Sequence, residues 1–253
     1  MRTMRALLST EATKLKKTAT LWLSLIVPAM LLLLLFIGLV DDYFRHPIRR
    51  MPVSAETEWI SVLARPWMLW AHLLPILIAV EAAGLASPEH AGKHWKQLYA
   101  LPIPRWSVYV AKALMCALLT AGSSLFFSAG LVALGLARSE LFHLQIASDV
   151  PLGVVLEVTA RAYLASWCVI AIQTWLSVRF SGFAISIGTA VAALLFSGLA
   201  AQFGVAGLYP WTMPLDSLPW GWSEAPAPAM VSPLLCVAVA VAAGWHLSRR
   251  EVV

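Results

Sequence analysis

Apolar residues along this chain fall into six near-continuous runs, separated by short polar stretches, at 21–40, 67–86, 108–137, 152–178, 183–203 and 229–247. Each run is long enough to cross a hydrocarbon core of about 30 Å as an α-helix. The third exceeds the crossing length, so it tilts or protrudes. Its small residues, among them Ala121, Gly122, Ser123, Ser124, Ser128, Ala129 and Gly130, permit close helix contact. Pro28 lies inside the first run, where it is placed to kink the helix. The pattern predicts an all-α polytopic membrane protein of six transmembrane helices, with residues 1–253 forming one membrane domain.

The segments between the runs are as informative. Residues 1–20 carry Arg2, Arg5, Lys14, Lys16 and Lys17 around Leu7, Leu8 and Leu15. Either a basic amphipathic helix lies there on an anionic surface and feeds the first span, or a disordered arm merely sets topology. Segment 204–228 interleaves Tyr209, Trp211, Trp220 and Trp222 with five prolines. Aromatic rings of this kind settle at a membrane interface and proline forbids one continuous helix, so two short interfacial or re-entrant pieces are expected.

The segment 87–112, SPEHAGKHWKQLYALPIPRWSVYVAK, departs most from an ordinary short loop. It sets Trp95, Leu98, Tyr99 and Leu101 on a background of Lys93, Lys96 and Arg105, and 94–101 has the spacing of a short amphipathic helix. Pro102 and Pro104 then end it. Such an element either rests on the membrane surface or is gripped by a partner. Six spans place it on the same side as both termini and the 179–182 turn. That side collects most of the Lys and Arg, so it is expected to be cytoplasmic.

Composition narrows the function classes. Charged residues are 12% of the 253, about half the share of a soluble domain, which excludes an ordinary soluble fold. The net charge of +5 does not indicate nucleic acid, because the basic residues border the spans. Cys116, Cys168 and Cys236 fall inside apolar runs without CxxC spacing and read as buried, inert thiols. His72, alone in an apolar span, reads as a satisfied core residue. No metal site is expected: His90 and His94, four apart beside Glu89, lack further ligands. No HExxH, GxSxG or P-loop occurs, so no catalytic residue is expected.

Three intramembrane charges remain. Glu157 and Arg161 stand at i, i+4 in the fourth span, either as a functional pair or snorkelling to the outer interface. Glu81 sits toward the cytoplasmic end of the second span, where an interfacial anchor or a contact to the following loop is expected.

Taken together, Glu81, Glu89, Trp95, Lys96, Leu98, Leu101, Pro102, Ile103, Arg105, Tyr109 and Lys112 form a pattern. It resembles the first cytoplasmic loop of permease subunits of type-2-superfamily ATP-binding-cassette exporters, particularly the six-span permeases of bacitracin and lantibiotic self-protection systems. The architecture resembles them along the whole chain, whereas the residue match is confined to about 81–112. The resemblance implies a bacterial cytoplasmic-membrane protein that pairs with a second permease and an ATP-binding-cassette ATPase. ATP and magnesium would reside on that ATPase, and this chain would bind no cofactor. It further implies that 1–20 is an elbow helix and 204–228 an external helical hairpin. The loop becomes a coupling helix, in which Glu89, Lys93, Trp95, Lys96, Leu98, Tyr99, Leu101, Pro102 and Arg105 face the ATPase. The hairpin segment here has aromatic residues and no basic one, unlike the family pattern. An ATP-independent carrier using Glu157 and Arg161 is the alternative, and a membrane scaffold a third.

Overall fold

A computed structural model describes residues 2–16, 18–45, 55–91, 104–142, 150–219 and 227–249, and every element of regular structure among them is helical. Helix α1 spans Arg2–Leu15, α2 Ala19–Arg45, α3 Ala55–Ala91 and α4 Arg105–Phe142. The chain continues through α5 (Leu152–Ala165), α6 (Trp167–Arg179), α7 (Phe183–Leu195) and the short α8 (Ser197–Gln202). A 3-10 turn at Ala206–Leu208, a one-turn α9 at Met213–Asp216 and α10 at Ala227–Ser248 complete the series. Five stretches are long and apolar enough to cross a membrane, and the bent pair α5–α6 makes a sixth. The chain is thus a multi-pass helical membrane protein.

Strict alternation gives the bundle two ends. The near end carries α1, the end of α3, the start of α4 and the α6–α7 turn; the far end carries the 3-10 turn and α9. Helix α3 is the hub, packing against α2, α4, α6 and α7. Trp67 and Trp70 of α3 clasp Phe127 of α4, edge-on at 5.7 Å and stacked at 4.6 Å, and all three rings are buried. By contrast, α2 and α10 leave Leu33, Leu34, Leu234 and Val241 exposed, as lipid-facing helices do.

Lipid is as apolar as leucine, so hydrophobicity alone cannot hold one helix to the next; close packing and polar contacts must. The small residues serve this. Gly130 of α4 lies against Leu32 of α2, and Gly84 of α3 against Thr20 at the start of α2. Ser128 of α4 shares a 2.7 Å hydrogen bond with Thr159 of α5. Ser186 of α7 donates to the carbonyl of Ala79 in α3 at 3.1 Å.

Three sequence expectations change. The fourth span is not one rod: it bends by 41° between α5 and α6 at Ser166. There the Ser166 N–H turns back to Ala162 and Tyr163, and the Cys168 N–H is taken up by the Ser232 hydroxyl of α10 at 2.9 Å. The second span, expected at 67–86, belongs to a helix that begins twelve residues earlier, at Ala55. His72 is exposed rather than a core residue. Of the segment 204–228, expected to form two short pieces, the described part 204–219 holds the 3-10 turn and α9, while Trp220 and Trp222 lie outside the described residues.

A Cβ on Gly84 would collide with the Thr20 side chain, including its Cβ at 3.1 Å. Gly84→Val should therefore destabilise the protein by about 1–3 kcal/mol. Thr20→Ala on that background should recover part of the loss. Thermal unfolding of the four proteins in detergent reads the cycle.

Candidate functional site

The near end contains an ion cluster built by three helices. Glu11 and Lys14 come from α1, Glu89 from the last turn of α3, and Lys112 from two turns into α4. Lys112 Nζ donates to Glu11 Oε2 at 3.0 Å, Glu89 Oε2 at 2.9 Å and the Leu85 carbonyl at 2.6 Å. Those three bonds use all three ammonium protons. Lys14 Nζ closes the ring, reaching Glu11 Oε1 at 3.0 Å and Glu89 Oε1 at 2.6 Å. Each carboxylate therefore receives one bond from each lysine. The four charges cancel.

Burial makes this arrangement consequential. The Lys112 side chain is 1% exposed, Glu89 4% and Glu11 6%, whereas Lys14 at 32% forms the rim. A lone charge at such a site would cost several kcal/mol, which only well-placed partners offset. For Lys14, burial pulls the ammonium pKa down. The hydrogen bond to Glu89 and the charges of Glu11 and Glu89 outweigh that, leaving it above the ordinary 10.5.

The sequence explains how α1 delivers its acid. Leu8, Glu11 and Leu15 recur at helical spacing on one face, and Leu15 and Glu11 are buried there. Glu11 is thus an acid on the apolar stripe of an otherwise basic helix. Its place on that stripe is the one signal of this role in the sequence. Lys112 belongs to the family pattern, but its location inside an apolar run is the stronger indication.

The remaining expected site residues divide. Lys93, Trp95, Lys96, Leu98, Tyr99, Leu101 and Pro102 lie outside the described residues, as does His94. Glu89, expected on a docking face, is turned inward to the cluster. Arg105 is half-buried as the first residue of α4. Tyr109 is buried, and its hydroxyl donates to the Ala171 carbonyl of α6 at 3.0 Å. His90, one residue past Glu89, holds α3 to α6 through a 2.8 Å hydrogen bond between its Nε2 and the Ser177 carbonyl.

Glu81 is not an interfacial anchor. It lies two turns before Glu89 and is 0% exposed. Its carboxyl accepts from Thr120 Oγ1 at 2.7 Å and Ser123 Oγ at 3.2 Å, and Ser123 also lies 2.8 Å from the Ser24 carbonyl of α2. It joins α2, α3 and α4 within the span, separately from the ion cluster. Glu157 and Arg161 form an ion pair with each other on α5, with Glu157 about half exposed. Among the described residues, no group of His, Cys, Asp or Glu is placed to hold a metal ion. Cys116 and Cys168 are free and buried, and Cys236 is free and half-buried.

This is the architecture of a polytopic helical membrane protein, with an amphipathic helix locked to its membrane bundle by buried charge. Residues 7–198 match the family described as ABC-2 family transporter protein, and the chain belongs to that family. It is therefore a membrane subunit of an ATP-binding-cassette transporter, a class that associates with ATP-binding-cassette ATPases. No curated protein and no solved structure matches it.

Removing Lys112 strands two buried carboxylates on one half-exposed lysine. Lys112→Met should cost about 3–5 kcal/mol of stability, and Glu89→Gln in the same chain should restore part of it. Thermal unfolding of the single and double variants measures that coupling. The Lys14 contribution has a distinct pH signature. Its folded pKa is raised, so its stabilisation is complete below 10.5 and is lost as pH rises through the folded value. Unfolding temperatures across alkaline pH should fall more steeply for the wild type than for Lys14→Met.

Proposed function

We propose that this chain is the substrate-path subunit of an exporter whose near end faces the cytoplasm of a bacterial cell. The observation that carries this reading is the ion cluster at the root of segment 92–103. Glu89 lies just before that segment and Lys112 shortly after it, and both are held to α1. A push on the segment is thereby delivered to α1, α3 and α4 together, since none can move without breaking buried charge pairs.

In this reading Trp95, Leu98, Tyr99 and Leu101 form the apolar surface that enters a cleft in the ATPase. Lys93, Lys96 and Arg105 make the polar contacts around it, and Pro102 ends the docking helix. Glu89 acts behind that surface, transmitting the movement instead of touching the partner. ATP and magnesium bind the ATPase, and two permease copies enclose the path between them. The resemblance over 81–112 supports a lipophilic peptide antibiotic of the bacitracin or lantibiotic kind as cargo. Glu157 and Arg161 pair with each other on α5, and membership of the ABC-2 transporter family favours the coupled exporter over an ATP-independent carrier using them.

The test is co-purification from the native host in mild detergent, followed by mass spectrometry. A P-loop ATPase should accompany the wild type in stoichiometric amount. Replacing Leu98 and Leu101 by Asp should reduce its recovery about tenfold or more, as loss of central apolar anchors does, with the permease still in the membrane. Full ATPase recovery with the double variant would remove the docking role from these residues.

A further inference from the structure

At the far end, α2, α3 and α4 enclose a groove of about 280 Å³ whose chemistry the transport reading does not use. Leu35 and Leu39 of α2 and Leu131 and Leu134 of α4 form its apolar walls, and Arg65 of α3 and Arg138 of α4 reach it from two sides. Among the described residues, no carboxylate lines it. Neither arginine makes an ion pair or hydrogen bond among the described residues, unlike Arg45 and Arg161, which are each paired on their own helix.

The position of the two arginines is specific. The apolar stretch of α3 begins at Leu63 and that of α4 ends at Arg138, so both arginines stand at the far-end limits of those stretches. Lipid phosphates lie just outside the hydrocarbon core, beside the ends of apolar helices. Leu34 and Leu136, close to the wall residues in sequence, are exposed, so apolar surface flanks the groove. A guanidinium binds phosphate through two parallel hydrogen bonds, which suits it to a headgroup held at fixed height.

The geometry points to a binding site for one anionic phospholipid, its phosphate between Arg65 and Arg138 and an acyl chain along the leucine walls. Net negative charge is favoured because the described lining of the groove offers two cations and no acid. A zwitterionic lipid would bring a further cation to the same place. The bound lipid would hold the far ends of α2, α3 and α4 together, opposite the ion cluster that holds α1, α3 and α4 at the near end.

The test uses the full chain, delipidated in neutral detergent, with native mass spectrometry and thermal unfolding after adding dioleoyl-phosphatidylglycerol or dioleoyl-phosphatidylcholine. Phosphatidylglycerol should bind the wild type about tenfold more tightly than R65Q/R138Q, an effect corresponding to one well-made charged contact, and should raise the unfolding temperature of the wild type more. Phosphatidylcholine should not distinguish the two proteins. The basic α1 also attracts anionic lipid, so the difference between the proteins is the readout. A phosphatidylglycerol response equal in both would overturn the site. If inorganic phosphate alone reproduced the gain, the groove would be a simple anion site and the lipid assignment would be wrong. Should R65Q/R138Q fail to fold, a phosphatidylglycerol carrying a photoreactive group near its phosphate decides on the wild type. Crosslinks within 35–39 or 131–138 support the site, and their confinement to α1 excludes it.

Discussion

Electroneutrality inside a low-dielectric site is the constraint on which the near end of this protein depends. Lys112 is almost wholly removed from solvent, and a lysine there is tolerable only if every ammonium proton has an acceptor. Glu11, Glu89 and the Leu85 carbonyl supply the three, and Lys14 completes the second bond to each carboxylate. The four side chains come from positions as far apart as 11 and 112. Their charges balance only when α1 lies across the ends of α3 and α4. The cluster therefore specifies where an otherwise adhesive basic helix must sit, more than it adds stability of its own; buried ion pairs are rarely strong stabilisers.

The rest of the bundle is held by weaker versions of the same logic. Intramembrane hydroxyls close short bonds to carbonyls and to one another, as Ser128 does with Thr159 and Ser186 with the Ala79 carbonyl. Glu81 engages two hydroxyls of α4 and no cation among the described residues, so its partners meet it in a different way from those of Glu89. Two acids of one helix, about 12 Å apart along its axis, thus have different surroundings. One is linked to mobile-length cationic side chains that bridge helices; the other is enclosed by short side chains that fix α3 against α4.

The sequence alone determined the membrane class and the helical content. It could do so because each crossing must bury about 20 apolar residues and satisfy its backbone internally, and both requirements are local. It also offered a basic amphipathic helix as one of two readings of 1–20, and α1 is that helix. The tertiary structure decided what depends on neighbours far away in sequence. Ser166 looks unremarkable in an apolar run, yet the bend there requires Ser232 to accept a freed N–H from Cys168. Glu11 looks like one charge in a solvated arm, and Glu89 like a loop residue facing outward. Only the fold brings both to Lys112, because the balance of a buried charge is set by partners that no local pattern contains.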